Sequence, residues 1–210
     1  MRGVGAPCRM RRIFLLSRFE SARVTRLGAI LAGGEARRFG SDKALATWRG
    51  RPLIAHAAAI LARHCDAVIV CGRRHAPGGL RCVADRPAPG LGPLGGLCAA
   101  LHEAAAAGQD SVLTLGCDMP LIDETLFGRL AAFDDGCYLA AAPIVGCWPA
   151  RLAAPLADHL DCGGDRSVRG WAGAAGVSAI EAGGAIVNLN TPADLVALDR
   201  AAQPSGPHAR

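Results

Sequence analysis

The residues best suited to chemistry follow a short apolar run that ends at Leu31. Gly33 and Gly34 let the backbone turn with positive φ, and their N–H groups can approach a ligand because no Cβ stands in the way. Arg38 and Lys43 then add a planar guanidinium fork and a compact ammonium charge within ten residues of the glycines. Glycine N–H groups beside fixed positive charges predict a binding site for a phosphate-bearing ligand.

The spacing differs from that of two common phosphate-binding loops. A Walker A loop places four residues between its first glycine and a Gly-Lys pair. Here five residues separate Gly34 from Gly40, and Lys43 does not follow Gly40 directly. A dinucleotide fingerprint is absent because Gly33 and Gly34 are adjacent. A glycine-rich turn with solvated arginines is the simpler alternative for this stretch.

Short apolar runs must position this loop and two carboxylates. They predict strands at residues 27–31, 67–71, 81–84 and 111–116, with the nearly continuous apolar character of strands covered on both faces. Gly33, Asp85 and Asp118 each come just after one of these strands. Ligands of open α/β sheets bind beyond the carboxyl ends of the strands. We therefore expect the three residues to converge at that edge.

Helical spacing and end signals predict the intervening helices. Three of them cover residues 52–63, 93–107 and about 122–133, and a last helix has Thr191 as its N-cap and Pro192 at its first position. Three other stretches are predicted to be extended, at residues 44–48, 177–180 and 185–187. Strands that alternate with helices predict an α/β sandwich with a mostly parallel sheet.

The chemistry of the strand ends suggests a role for several side chains. Asp118 stands alone at a strand end, and Mg²⁺ prefers one or two carboxylates completed by substrate oxygens and water. The alternative role for Asp118, the N-cap of the next helix, competes with Asp123. Lys43 is suited to the α-phosphate region of a triphosphate and Arg38 to its β- and γ-phosphates. Asp42 either orients Lys43 or faces solvent.

The pattern L-A-G-G-x-x-x-R-F-G-x-D-K, which ends at Lys43, resembles the signature of nucleotidyltransferases of the molybdenum cofactor guanylyltransferase type. Four further motifs agree with that family in its order: Asp85, Gly92-Pro93-Leu94-Gly95-Gly96, Cys117-Asp118-Met119-Pro120 and Asn188-Leu189-Asn190-Thr191-Pro192. The resemblance covers about residues 27–200. It implies a three-layer α/β sandwich with a Rossmann-like sheet, of the nucleotide-diphospho-sugar transferase type.

The same resemblance implies roles for individual residues. It assigns nucleotide contacts to Leu31, Ala32, Gly33 and Gly34, phosphate contacts to Lys43, the ribose or base side to Asp85, and the metal to Asp118. One departure is Cys71, which stands where the family often has Asn and lacks the paired donor and acceptor of an amide. The backbone of Cys71 could still serve the nucleotide.

The resemblance also implies where the acceptor substrate binds, since the family has a region that binds a pterin. Asn188, Asn190, Arg166 and Arg169 correspond to that region. Asn188 and Asn190 could equally stabilise a turn.

The resemblance implies transfer of GMP from GTP to molybdenum-molybdopterin, with Mg²⁺ as cofactor and pyrophosphate as product. A cytidylyl enzyme on the same acceptor is the nearest alternative, but its loop reads L-A-A-G where this chain has Gly33 and Gly34. Sugar-nucleotide synthesis is more remote. A non-catalytic cofactor carrier is disfavoured by the intact Lys43 and Asp118. Transient contacts with other cofactor-synthesis proteins and with apo-molybdoenzymes are also implied.

The charge of the chain is concentrated in its first residues. The net charge is +5, and residues 1–26 hold seven arginines against one glutamate, so the remainder is close to neutral. This distribution argues against a nucleic-acid-binding fold, and no run of about 18 apolar residues predicts a membrane span. We expect a basic, disordered extension at 1–26, one nucleotidyltransferase domain at 27–200 and a disordered tail at 201–210.

The nine cysteines do not have the spacing of a metal or redox site. No pair shows the C-x-x-C separation, the number is odd, and most lie within apolar runs. Free cysteine buries as a small apolar side chain. The pattern therefore predicts reduced core residues of a cytoplasmic protein.

Overall fold

The computed structural model describes residues 24–33, 42–184 and 186–201 of the 210-residue chain. The strands are β1 (Arg26–Leu31), β2 (Thr47–Trp48), β3 (Arg51–Pro52), β4 (Ala67–Cys71), β5 (Arg81–Val83), β6 (Ser111–Gly116), β7 (Cys137–Leu139), β8 (Ala142–Pro149) and β9 (Ser178–Ile180). The helices are α1 (Leu53–Leu61), α2 (Pro93–Ala106), α3 (Thr125–Leu130), α4 (Ala153–Asp161), α5 (Val168–Ala174) and α6 (Pro192–Ala201).

One seven-stranded sheet organises these elements, in the order β5-β4-β1-β6-β8-β7-β9. Neighbours pair in parallel except where β8 runs antiparallel to β6 and β7. The carboxyl ends of the other six strands therefore share one edge. This arrangement confirms the predicted mostly parallel sheet. The strands β2 and β3 form a separate antiparallel hairpin.

Helices cover both faces of the sheet, which confirms the three-layer sandwich. One face packs Ala29 and Ile69 against α2, α4 and α5. The other face packs Ile30 and Val70 against α1 and α3. Because successive side chains of a strand point to opposite faces, strands buried on both faces must be apolar at nearly every position. That requirement explains the short apolar runs of the sequence.

Several element boundaries differ from the sequence prediction. β1 begins at Arg26, one residue before the predicted strand. A 3₁₀ turn at Lys43–Leu45 replaces part of the stretch that was predicted to be extended, because the Asp42 carboxylate accepts a hydrogen bond from the N–H of Ala44 and favours a helical turn. The helix expected from about residue 122 to residue 133 is limited to α3.

The strand predicted at residues 185–187 is wrong for residues 186 and 187, the two that the structure describes. Ile186 and Val187 have no regular structure, and residue 185 lies outside the described ranges. Ile186 packs against the cluster beneath α3 and pairs with no strand. Its apolar character therefore reflects burial of a loop. Among the residues of the described ranges, no helix is both long and apolar enough to cross a membrane.

Candidate active site

A cavity of about 240 Å³ opens at the carboxyl edge of β1 and β6. Its lining includes Leu31, Ala32 and Gly33 at the end of β1, Lys43 from the 3₁₀ turn, and Asp118 after β6. These five predicted residues are thus brought together. Pro93 at the start of α2 and Ile144 of β8 complete two of its walls.

Gly33 and Gly72 make a close backbone contact just beyond the ends of β1 and β4. A Cβ placed on Gly72, whose φ is +82°, would lie 2.4 Å from the Cα of Gly33. Ala32 N–H donates to the carbonyl of Cys71 over 3.1 Å, which ties the ends of β1 and β4 together. Only glycine tolerates both this close backbone approach and the positive φ. The contact between these two strand ends therefore depends on glycine at both positions.

Lys43 and Asp118 form a charged centre at the cavity with a third residue, Asn190. The Lys43 Nζ donates to Asp118 Oδ2 over 3.0 Å and to Asn190 Oδ1 over 3.3 Å. Only 16% and 21% of the Lys43 and Asp118 side chains are exposed. The N–H of Leu189 donates to the Asp118 carbonyl over 3.0 Å, which holds the late segment against the strand end. Three segments that are distant in the chain therefore meet here.

Asp118 is not a helix cap. Its carboxylate pairs with Lys43, while Asp123 accepts the N–H of Thr125 over 2.9 Å at the start of α3. The sequence alternative for Asp118 is therefore wrong. Within the described ranges, no group of three or more His, Cys, Asp or Glu could hold a metal. A cation at this cavity would have to share Asp118 with substrate oxygens and water.

Asp42 lines the cavity, but it does not contact Lys43 through its side chain. Its carboxylate binds the guanidinium of Arg73 at both oxygens and also accepts the N–H of Ala44. The hydrogen bonds from Arg73 hold the pKa of Asp42 below its ordinary value. While it is paired with Arg73, Asp42 supports Lys43 through the backbone of the 3₁₀ turn that it caps.

Asp85 lies beside the cavity in a cradle of glycines. A Cβ on Gly72 or Gly96 would stand 3.4 or 3.6 Å from Asp85 Oδ1, and a Cβ on Gly95 would stand 3.1 Å from the Asp85 Cβ. Asp85 Oδ1 is buried and has no hydrogen-bond partner within the described part of the chain. Burial raises the pKa of this carboxyl. An unpartnered buried acceptor is unusual and indicates a missing donor.

Cys71 does not line the cavity. Its side chain is fully buried under α2, where a Cβ on Gly96 would lie 3.2 Å from the Cys71 Cβ. Burial raises the pKa of the thiol to about 12, so it is neutral. The thiol is therefore not placed to contact a nucleotide in the cavity, and a contact through the Cys71 backbone stays a prediction. Its carbonyl is occupied by Ala32.

The predicted acceptor residues are only partly brought to the site. Arg169 donates to the carbonyl of Ala140 over 2.6 Å, at the end of β7 and therefore on the cavity's edge of the sheet. Arg166 and Asn188 are exposed. Asn190 reaches Lys43 instead of a separate acceptor pocket. Arg38 and Gly34 lie outside the described residues.

Sequence reasoning did not assign two residues near the site. Arg73 was visible as a charge at the end of a strand, but nothing marked Asp42 as its partner. Nothing in the sequence marks Ile144 as a residue of the cavity, because it reaches the cavity only through the antiparallel insertion of β8 between β6 and β7.

The fold and the cavity at its strand ends place the chain among the α/β proteins with a mostly parallel sheet. Two solved structures share the fold. Molybdopterin-guanine dinucleotide biosynthesis protein A from Archaeoglobus fulgidus has a TM-score of 0.65 at 19% identity, covering 83% of this chain and 97% of the other. The 2-C-methyl-D-erythritol 4-phosphate cytidylyltransferase from Thermus thermophilus has a TM-score of 0.60 at 19% identity, covering 84% and 98%.

Sequence comparison narrows the class to a family. The MobA-like NTP transferase domain matches residues 28–185, and the chain belongs to this family. A relative from Cereibacter sphaeroides, named molybdenum cofactor guanylyltransferase, is 38% identical over 80% of this chain and 92% of its own length. A relative of the same name from Acidiphilium cryptum is 35% identical over 81% and 92%. Asn190 lies beyond the matched domain.

Proposed function

We propose that this enzyme transfers GMP from GTP to molybdenum-molybdopterin, forming the molybdopterin guanine dinucleotide cofactor and pyrophosphate. The observation that carries the proposal is the contact of Lys43 with Asp118 and Asn190 at the strand ends of a MobA-like domain. The names of the curated relatives support the same reaction. The adjacent Gly33 and Gly34 favour guanine over cytosine within the resemblance described above.

The phosphates would lie between the turn after β1 and Lys43. The N–H groups at Gly33 suit phosphate oxygens, and Lys43 is already held at the cavity by two oxygen acceptors. A lysine fixed in this way loses little conformational entropy when a phosphate arrives. We still expect the guanidinium of Arg38 to bind the β- and γ-phosphates.

The donor set fits a Mg²⁺ ion that is shared with the substrate. Asp118 uses Oδ2 for Lys43, and its Oδ1 has no hydrogen-bond partner within the described part of the chain. Asp118 would hold the ion through Oδ1, and the ion would supply charge neutralisation to the triphosphate.

The chemical step is an in-line displacement at the α-phosphorus. An oxygen of the acceptor's terminal phosphate forms a bond to that phosphorus while the bond to pyrophosphate breaks, and pyrophosphate takes the electron pair. Lys43 stabilises the negative charge on the α-phosphate oxygens. Positioning and electrostatics dominate reactions of this type.

The nucleoside would occupy the side of the cavity nearest Asp85. The buried Oδ1 of Asp85 needs a donor, and a ribose hydroxyl or a base N–H would supply one. Cys71 cannot share this role through its thiol. Arg166 and Arg169, with Asn188, remain the proposed contacts for the acceptor on the β7 side.

The proposal includes a cellular setting. We place the reaction in the cytoplasm, with transient contacts to other cofactor-synthesis proteins and to apo-molybdoenzymes that receive the product. The alternatives are a cytidylyltransferase acting on the same acceptor and a non-catalytic cofactor carrier.

The test is pyrophosphate release from GTP, CTP, ATP and UTP in turn, each with molybdenum-molybdopterin and with Mg²⁺ or EDTA. We expect release with GTP and Mg²⁺ only. Release with CTP alone would move the enzyme to the cytidylyl class. No release with any nucleotide would favour the carrier. Asp118→Ala should abolish release, whereas Asp135→Ala, at an exposed carboxylate on the opposite edge, should leave it unchanged.

A further inference from the structure

Arg73 holds Asp42 through a two-pronged ion pair at the rim of the cavity. Its Nη1 donates to Asp42 Oδ1 over 2.7 Å and its Nη2 binds Asp42 Oδ2. Its Nε donates to the carbonyl of His75 over 3.2 Å, so all three guanidinium nitrogens are engaged. Bidentate pairs of this kind are strong and fix the geometry of the carboxylate.

Arg73 is less exposed than the other arginines that form ion pairs in the described part of the chain. Only 15% of the Arg73 side chain is exposed. The arginines that pair with Glu124, Glu103 and Asp135 are 55–62% exposed, and their guanidiniums are therefore screened by water. The Arg73 guanidinium is therefore less hydrated than theirs, whereas 43% of the side chain of its partner Asp42 is exposed.

Asp42 lies where a carboxylate is unfavourable for a phosphate ligand. It lines the cavity, precedes Lys43 directly, and caps the 3₁₀ turn that carries Lys43. Without Arg73, the charged side chains of the described lining would be two carboxylates, Asp42 and Asp118, against one ammonium. An unpaired Asp42 would repel the phosphates and attract Lys43 away from them.

We infer that Arg73 is a positioning residue for the nucleotide, which acts through Asp42 by neutralising its charge and anchoring the turn of Lys43. Asp42 then caps the turn without opposing the triphosphate. The inference deepens the proposed function and rests on it for the identity of the ligand as a nucleoside triphosphate.

The test compares nucleotide affinity in single and double variants. Arg73→Ala should weaken the binding of Mg²⁺–GTP about tenfold, which lies between the values for one close charge interaction in water and near a protein surface, because Asp42 is partly exposed. Asp42→Asn should bind at least as well as the unaltered chain, because Asn also caps helical turns. The double variant should regain most of the lost affinity, since no unpaired carboxylate remains. Dissociation constants measured by equilibrium dialysis give this pattern directly.

The control is Arg81→Ala, which removes an exposed arginine that pairs with Glu103 away from the cavity. Its affinity should not change. Thermal unfolding of every variant checks that the fold is retained. A purely structural role for Arg73 predicts equal loss in the single and double variants, and so does direct contact with the nucleotide. Either result would overturn the inference, as would unchanged affinity in Arg73→Ala.

The proposed function can fail separately from this inference. If the chain binds CTP instead of GTP, the same four variants are compared with CTP, and the rescue by Asp42→Asn keeps its meaning. If GTP binds but the rescue is absent, only the role of Arg73 is overturned. If no nucleoside triphosphate binds the unaltered chain, the proposed function and the inference fall together.

Discussion

The Asp118 carboxylate folds back over Gly116 and leaves no room for a Cβ there. A Cβ at this position would lie 2.4 Å from Asp118 Oδ1 and 2.7 Å from Ile144 Cδ1. Gly116→Ala should therefore displace the carboxylate from Lys43. We expect transfer to fall about 100-fold, since misplacement of a reacting group by about 1 Å has such an effect. Pyrophosphate release under saturating substrates measures it.

A matched control for Gly116 is available in α3. A Cβ on Gly128 would meet no atom within 4 Å, and alanine favours a helix over glycine. Gly128→Ala should therefore leave transfer unchanged and stability equal or higher. Full activity in Gly116→Ala would show that Asp118 does not need its observed conformation.

The Asp85 carboxyl should lower stability near neutral pH. Its pKa in the folded chain is raised by burial, so ionisation opposes folding once the pH exceeds that raised value. Asp85→Asn should raise the melting temperature at pH 7. The gain should shrink as the pH falls through the raised pKa towards the ordinary value near 4. The Asp85 carboxyl of the folded chain becomes protonated first, and below the ordinary pKa it is protonated in the folded and the unfolded chain alike. Melting curves between pH 4 and pH 8 test this.

The affinity of the Asp85→Asn variant for nucleotide tests whether Asp85 contacts the nucleoside. If its free oxygen accepts a donor from the nucleoside, Asp85→Asn should bind GTP more weakly although it is more stable. Loss of stability at pH 7 in this variant would contradict the burial argument and would mean that the carboxylate has a partner in solution.

The last helix, α6, completes the candidate active site. Leu189 and Leu198 pack with Trp48 and Leu53 in a separate apolar cluster. The Trp48 Nε1 also donates to Asp199 over 2.7 Å. These contacts dock α6 on the β2–β3 hairpin, next to the turn that carries Lys43. The docking explains how a residue as late as Asn190 reaches the cavity.

A hydrogen-bonded cap orients the residue that reaches Lys43. Asp194 accepts the N–H of Asn190 over 2.6 Å and that of Thr191 over 2.8 Å, and the Asp194 N–H donates to Thr191 Oγ1 over 3.3 Å. The predicted N-cap role of Thr191 is confirmed. The reciprocal bonds resemble a capping box, in which the cap and the third helical residue satisfy each other.

Removal of this cap should loosen Asn190. Asp194→Ala should destabilise the start of α6, speed amide hydrogen exchange at residues 189–195, and lower the transfer rate more than nucleotide affinity. Arg200→Ala, at an exposed position on the same helix, is the control and should change neither quantity. Unchanged exchange in Asp194→Ala would show that packing by Leu198 alone holds the segment.

The elements that the sequence predicted well are those with local signals. β1, β4 and β6 are apolar runs of the right length, and the residues that follow them converge because parallel strands end at one edge. The pairing of Arg73 with Asp42 could not be predicted, since it joins turns after β4 and before β2. The contact of Lys43 with Asn190 joins positions still further apart. Such pairs depend on strand order, which periodicity does not report.

Most cysteines in the described part of the chain serve as small apolar core residues. The cysteines of the described residues are all unpaired, and five of them are buried: Cys71, Cys98, Cys117, Cys137 and Cys147. Burial is the main cause that raises the pKa of each buried thiol. The prediction of core cysteines is confirmed for these five positions. Cys162 differs because it is exposed.

Thiol alkylation followed by peptide mapping should separate these classes. Among the cysteines of the described residues, Cys162 should react first in the native chain. With a pKa of about 12, only about one Cys71 thiol in ten thousand is ionised at pH 8, and the thiolate is the reactive form. Cys71 should therefore react only when the fold opens, at a rate that rises steeply with denaturant. Fast labelling of Cys71 in native buffer would show that α2 detaches from β4 without global unfolding, and that the wall beside Asp85 is open to solvent.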